Sequence, residues 1–142
     1  MDKNALFKKF VAFSSAVHQL TNEMTKDVKS EALTPVQYKI LEYIAISQPV
    51  TLSEISECMH MSMPNTSREL RKLSEKQLCE KAADIEDRRK QFVRLSMQGE
   101  AMMSEAFQRI ESRFVDRINN ASEEDLKEIE HALDLLHRKV FY

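Results

Sequence analysis

The sequence contains very few of the residues that interrupt regular backbone structure. Its 142 residues include one glycine and three prolines, while 42% are hydrophobic. So few helix breakers favour long helices joined by short turns. Cysteine is also scarce, since Cys58 and Cys79 cannot form a disulfide framework and their spacing matches no metal motif. The composition therefore predicts a mainly helical chain without a cofactor or a metal.

Long apolar runs and the motifs of enzymes are missing as well. No stretch approaches the roughly 18 consecutive apolar residues of a membrane span, and the charged start of the chain does not resemble a signal peptide. We therefore expect a cytoplasmic protein with no membrane partner. The sequence has no glycine-rich phosphate loop and no nucleophile elbow, and its four histidines lack the spacing of zinc ligands. Catalysis is not expected.

Positive charge is concentrated in the middle of the chain. The formal net charge is −2, but residues 63–94 contain nine Lys or Arg against six Asp or Glu. This segment is therefore basic, and the two flanking arms together are acidic. A basic central segment is what a DNA-binding protein needs when its arms have another task.

Three capping patterns divide the central segment into short helices. Thr34, followed by Pro35 and then by Gln37 three residues after it, is typical of a helix start, and Thr51 with Glu54 repeats the pattern. Ser62 begins a third helix only a few residues after the second one ends. Two short helices joined this tightly predict a helix-turn-helix.

The helix that starts near residue 63 has two distinct faces. At 100° per residue, Thr66, Leu70 and Leu73 share one side and form a core face. The other side and its flanks carry residues suited to base edges and phosphates, and these are the predicted DNA-binding residues Pro64, Asn65, Ser67, Arg68, Arg71 and Lys72. The competing interpretation is an ordinary solvated helix face.

A β-hairpin is predicted directly after this helix. Residues 78–82 and 92–95 are two short runs that can pair as strands, and the polar tip between them ends in Arg88, Arg89 and Lys90. A basic hairpin that follows a helix-turn-helix is a wing, whose tip can reach the minor groove.

The chain ends are predicted to form long amphipathic helices. Stripes of apolar residues run through residues 4–25, from Met103 to Ile118, and from Leu126 to Val140. A chain of this length has little interior in which to bury three such helices, so we expect a homodimer. The predicted organisation is a helical dimerisation region, residues 1–33 and 97–142, around a winged helix-turn-helix module, residues 34–96. The fold class is mainly α with a small β-hairpin wing (α+β).

These features together resemble the MarR family of bacterial regulators. The resemblance rests on residues 52–55, 62–73 and 78–81, and most specifically on Asp87-Arg88-Arg89 followed by Leu95-Ser96-Met97-Gln98-Gly99. The order of helices on both sides also fits, so the resemblance covers nearly the whole chain. Two positions depart from the family, which usually has glycine where this sequence has His60 and Gln77.

The resemblance implies a two-fold dimer built from the first and last helices. It also implies that residues 64–76 enter the major groove, that Arg89 enters the minor groove, and that Asp87 helps to hold the wing. The helix start at Thr51 to Ser53 is expected to offer backbone amides to a DNA phosphate.

We therefore predict a sequence-specific transcription regulator of double-stranded DNA with a pseudo-palindromic operator. Repression, released by a small aromatic or lipophilic effector bound between the dimer helices and the DNA module, is the preferred mode. His18 borders the stripe of the first helix and is a candidate for the effector pocket. Two alternatives remain open at this point, a helical protein–protein adaptor that does not read DNA and a thiol-based redox-sensing regulator.

Overall fold

The computed structural model describes residues 1–27, 32–83 and 91–142. Its elements are α1 (Lys3–Thr25), α2 (Pro35–Ser47), β1 (Val50–Thr51), α3 (Leu52–Met59), α4 (Met63–Glu75), β2 (Cys79–Ala83), β3 (Gln91–Leu95), α5 (Met97–Arg117) and α6 (Glu123–Lys139). The chain divides into two compact units, Met1–Ile110 and Glu111–Tyr142. Long helices with a small antiparallel sheet confirm the predicted fold class.

Side-chain caps set the starts of the helices, as the sequence predicts. Thr34, Thr51 and Ser122 each form a complete capping box with the residue three positions later. In each box the cap side chain accepts a hydrogen bond from an otherwise unpaired backbone amide at the start of the helix. Ser62 caps α4 by accepting a hydrogen bond from the amide of Asn65 at 3.2 Å.

The sheet has one strand more than the predicted hairpin. Its order is β1-β3-β2, and both pairings are antiparallel. The short strand β1 pairs Val50 with Val93 and Thr51 with Phe92. It joins the start of α3 to the hairpin, so the helix-turn-helix and the hairpin are parts of one module.

A continuous apolar core holds this module together. Its fully buried side chains come from α2, β1, α3, α4 and α5, and include Ile40, Leu41, Ile44, Val50, Ile55, Leu73 and Met103. Burying one such side chain contributes about 1.5–3 kcal/mol. Because α4 supplies Leu70 and Leu73 to this core, one side of α4 faces the interior of the module.

Two long helices leave most of their apolar residues exposed. Within the 23 residues of α1, Thr25 alone is buried, and none of the 17 residues of α6 is buried. The exposed apolar side chains on these two helices are Leu6, Phe7, Val11, Phe13 and Val17 on α1 and Ile129 and Leu133 on α6.

Candidate nucleic-acid interface

The turn between α3 and α4 is short and tightly bonded. His60 adopts a left-handed backbone conformation with φ 52°, which lets the chain reverse immediately after α3. The hydroxyl of Thr66 donates to the carbonyl oxygen of Ser62 at 2.9 Å, and the hydroxyl of Ser56 donates to that of Leu52 at 2.9 Å. Each of these bonds lies within one helix and its cap, so they stabilise the two helices that flank the turn.

Helix α4 has the two faces that the sequence predicts. Thr66 and Leu73 are fully buried, and Leu70 is 9% exposed. The opposite side carries the exposed residues Pro64, Asn65, Arg68, Arg71 and Lys72, with Ser67 half-buried beside them. The predicted orientation of these side chains is therefore confirmed, while their contact with DNA remains a prediction.

Two of the exposed side chains on α4 contact each other. The guanidinium of Arg68 donates from Nη1 to the side-chain oxygen of Asn65 at 3.4 Å. Arginine pairs with the major-groove edge of guanine and asparagine with that of adenine, so these side chains are suited to neighbouring base pairs. Lys72 lies one turn further along and forms an ion pair with Glu69 at 3.5 Å.

The strands β2 and β3 pair residue by residue from Cys79 with Leu95 to Ala83 with Gln91. Arg94 forms a cross-strand ion pair with Glu80, with Nε and Oε1 2.9 Å apart. Both side chains are about half exposed, so solvent screens the pair and its contribution to stability is small. The predicted wing residues Asp87, Arg88, Arg89 and Lys90 lie outside the described residues.

The start of α5 is fixed against the end of α4. The hydroxyl of Ser96 donates to the carbonyl oxygen of Gln77 at 2.6 Å and accepts from the amide of Gly99 at 3.0 Å. The amide of Ser96 donates to the carbonyl oxygen of Leu78 at 3.1 Å. The Leu-Ser-x-x-Gly motif therefore connects the DNA module to the start of α5 through hydrogen bonds.

The central module of the chain is similar to known proteins. The model of the MarR family matches residues 33–90, which span the helix-turn-helix and the first strand of the hairpin. The regulator MhqR of Bacillus subtilis is 24% identical over 131 residues, covering 92% of this chain and 88% of its own. TcaR of Staphylococcus aureus is 24% identical over 130 residues, which cover 90% of this chain and 86% of TcaR. Residues 33–90, which include the helix-turn-helix, are therefore similar to the MarR family.

Solved structures share the same fold. A MarR family protein from Bacillus stearothermophilus superposes with a TM-score of 0.83 at 17% identity, covering 100% of this chain and 99% of its own. Staphylococcus aureus MepR bound to ethidium bromide superposes with a TM-score of 0.67 at 19% identity, and the match covers 92% of this chain and 94% of MepR. The MarR family comprises DNA-binding transcription regulators, which agrees with the predicted class of function and not with that of an enzyme.

The start of α3 is held by its own cap. Glu54 accepts hydrogen bonds from the amide of Thr51 at 3.3 Å and from its hydroxyl at 3.0 Å. Both the amide and the hydroxyl of Thr51 are therefore used within the capping box. Ser53 is exposed, and its amide lies in the first turn of α3, where a helix has no internal acceptor.

A cavity of about 260 Å³ lies between α4 and the sheet. Its apolar lining includes Leu52, Leu70 and Phe92, and its charged lining includes Arg71 and Lys81. His18 is not among the lining residues. It is exposed on α1, where its Nε2 lies 3.2 Å from the side-chain nitrogen of Asn22.

The two cysteines have opposite environments. Cys79 is 4% exposed, and burial raises the pKa of its thiol, although a contact of 3.6 Å with the hydroxyl of Ser74 acts in the opposite direction. A buried thiol with a raised pKa forms little thiolate, which is the reactive species. Cys58, in contrast, is exposed on α3. The geometry of Cys79 does not support a redox sensor.

A set of contacts that the sequence does not predict connects α2 to the α4 region. Gln37 is predicted only as the capping partner of Thr34, but its side chain also bonds Glu69 and Lys76 of the α4 region. No local pattern indicates such a contact, because the partners are more than 30 positions apart.

Neither a metal cluster nor a membrane-spanning helix is found in residues 1–27, 32–83 and 91–142. No three side chains of His, Cys, Asp or Glu in these ranges are grouped so that they could hold a metal ion. No helix there combines the length and the apolar character that crossing a membrane requires.

Proposed function

We propose that this chain forms a homodimer that binds a pseudo-palindromic operator in double-stranded DNA and represses transcription until a small molecule releases it. The observation that carries the proposal is the outward face of α4. Asn65, Arg68, Arg71 and Lys72 all project from one side of a helix whose other side is anchored in the core. In a dimer, two copies of this helix enter successive major grooves about one helical turn apart.

The exposed apolar residues of α1 and α6 support the dimer. Monomeric proteins rarely leave such rows of large apolar side chains in water, and a partner chain would bury them. We assign residues 1–33 and 97–142 to dimerisation and residues 34–96 to DNA binding. An acidic pair of arms fits this division, because the arms have no phosphate to contact.

We assign specificity to α4 and the remaining contacts to the wing and to α3. Arg68 and Asn65 read base edges, while Pro64, Ser67, Arg71 and Lys72 contact bases or phosphates. From the family resemblance, Arg88, Arg89 and Lys90 bind the backbone and the minor groove, with Asp87 supporting the wing. The amide of Ser53 binds a phosphate, and Thr51 contributes by shaping the same helix start.

The proposed effector is a small aromatic or lipophilic molecule. MepR, which shares the fold, has been solved with the planar aromatic ligand ethidium. In this chain the cavity beside α4 combines apolar walls with Arg71, so a ligand there would compete with DNA for a proposed contact residue. His18 remains a weak second candidate. Thermal shift assays of the free protein with a panel of aromatic compounds test for such binding.

Selection of bound fragments from the host genome, followed by gel-shift titration at two salt concentrations, tests the proposed function. We expect one enriched imperfect palindrome whose preference over unrelated DNA persists as salt rises, although overall affinity falls. Binding that disappears uniformly for all fragments, or no binding, would contradict a sequence-specific regulator and favour the adaptor. Reporter expression in a deletion strain then tests repression.

Arg68→Ala tests the base-reading role of α4. Because Arg68 is exposed and its only described side-chain partner is Asn65, its loss should leave the fold intact. We expect operator binding to weaken by roughly 1–3 kcal/mol, with relaxed preference at one base pair of each half-site. Binding to a set of single-base operator variants measures this. Lys39→Ala, which removes an exposed charge from α2, serves as the control and should keep the preference.

A further inference from the structure

A chain of polar contacts runs across the inner side of α4. The ammonium of Lys76 donates to the backbone carbonyl oxygen of Ala32 and, at 2.9 Å, to Oε1 of Gln37. The side-chain amide of Gln37 donates from Nε2 to Oε2 of Glu69 at 3.1 Å. The other carboxylate oxygen of Glu69 accepts from Lys72 at 3.5 Å. The contacts therefore connect the segment before α2 to a cation on the proposed DNA face.

Gln37 is the centre of this chain and is only 3% exposed. Its Oε1 also accepts from the amide of Thr34 at 3.2 Å, so both ends of the side-chain amide are bonded. A buried amide that lost these partners would incur the cost of desolvation without compensation. The position of Gln37 therefore depends on α4 keeping Glu69 and Lys76 in place.

The apolar contacts between α2 and α4 do not fix the rotation of α4 by themselves. Hydrophobic contact is non-directional, so Leu70 and Leu73 tolerate small rotations and shifts of the helix. Hydrogen bonds have preferred angles and lengths, and Lys76 and Glu69 lie at separate points along the helix. Two directional contacts at separate points define one orientation.

We propose that Gln37 and Lys76 are positioning residues for DNA recognition, which hold α4 in the rotation that presents its outward face to the operator. This proposal rests on the proposed function, because it concerns the orientation of the helix that is proposed to bind DNA. In a two-fold dimer the rotation of each α4 also sets the separation between the base-reading side chains of the two copies. Loss of the contact chain should therefore broaden the range of half-site spacings that the protein accepts.

Lys76→Met is the informative variant, because Lys76 is exposed and methionine preserves much of its aliphatic stem. We expect a melting temperature within about 4 °C of the wild type, because a single hydrogen bond adds little net stability and the amide of Thr34 still donates to Oε1 of Gln37. On operators with varied half-site spacing we expect affinity at the best spacing to fall about fivefold or more and the spacing preference to flatten. Lys76→Arg should keep both the affinity at the best spacing and the spacing preference of the wild type. The matched control Lys39→Met should change neither property.

Salt dependence separates positioning from direct contact with DNA. Removing a phosphate contact lowers the slope of log K against log salt by about 0.9 for each protomer. We expect this slope to be the same for Lys76→Met and Lys39→Met. A lower slope for Lys76→Met alone would make Lys76 a phosphate ligand and would overturn the positioning role, as would unchanged affinity and spacing preference.

Hydrogen exchange of the free protein tests the contact chain without DNA. In Lys76→Met we expect faster exchange of amides in the last turn of α4 and in the first turn of α2, and no change in Lys39→Met. Unchanged exchange would overturn the proposal whether or not an operator is found. Faster exchange in a protein that binds no DNA would instead contradict the proposed function and leave the contact chain as a structural feature, so the two failures differ.

Discussion

At the level of single residues, the one glycine of the sequence occupies a place where no side chain fits. A Cβ on Gly99 would lie 2.0 Å from the carbonyl oxygen of Leu78 and 3.0 Å from its carbonyl carbon. Both atoms belong to the backbone between α4 and β2, so they cannot move aside as a flexible side chain would. The glycine thus allows α5 to begin in direct contact with the DNA module.

Gly99→Ala is expected to destabilise the protein strongly. The clash is with backbone, so α5 must shift and strain the bonds of Ser96 with Gln77 and Leu78. Overpacking of this kind costs about 1–3 kcal/mol, and we expect the upper end of that range. Urea unfolding measures the change. Gln98→Ala, at the exposed neighbouring position, should stay within about 0.5 kcal/mol of the wild type, and equal stability of the two variants would contradict the clash.

At the level of elements, two turns use non-glycine residues in a left-handed conformation. His60, after α3, has φ 52°, and Gln77, after α4, has φ 63°. These are the two positions at which the sequence departs from the usual glycine of the family. The turn geometry is therefore kept without glycine, at a cost of roughly 1–2 kcal/mol for each left-handed residue with a Cβ.

His60→Gly and Gln77→Gly are each expected to stabilise the protein. Glycine adopts the left-handed region freely but loses more backbone entropy on folding, so the net gain should be about 0.5–1 kcal/mol per site. The free energy of unfolding in urea measures it. The control Glu75→Gly places glycine in the right-handed backbone at the end of α4. This variant should instead destabilise the protein by about 1 kcal/mol. A loss of stability in both His60→Gly and Gln77→Gly would show that these side chains contribute more than the strain costs.

The elements that the sequence predicts well are those set by neighbouring residues. The caps at Thr34, Thr51 and Ser62 are confirmed because each one involves residues only three positions apart. Strand β1 is missed because two residues show no periodicity and pair with a strand far along the chain. The contacts of Gln37 with Glu69 and Lys76 are missed for the same reason. Its role as the cap partner of Thr34 already explains why a glutamine stands at this position.

At the level of the whole molecule, the outward cations of α4 and the exposed apolar rows of α1 and α6 require each other in the proposed function. One copy of α4 reads a few base pairs, which is too little sequence for a specific site. Two copies joined through apolar surfaces read twice as much, with a fixed spacing between half-sites. Dimerisation and specific binding should therefore be lost together when the apolar rows are disrupted.

Leu133→Lys tests this link on α6, where Leu133 is 57% exposed within one chain. Because the site is open in the single chain, the monomer should fold with unchanged helix content, while a dimer interface would have to bury an unpaired ammonium. We expect light scattering to give twice the 16.6 kDa chain mass for the wild type and the single mass for the variant, with operator affinity lost in parallel. Ile46→Lys, at a 72% exposed position on α2, should remain dimeric. A wild-type protein that is monomeric at micromolar concentration, or a Leu133→Lys dimer that binds the operator normally, would show that these helices do not form the interface.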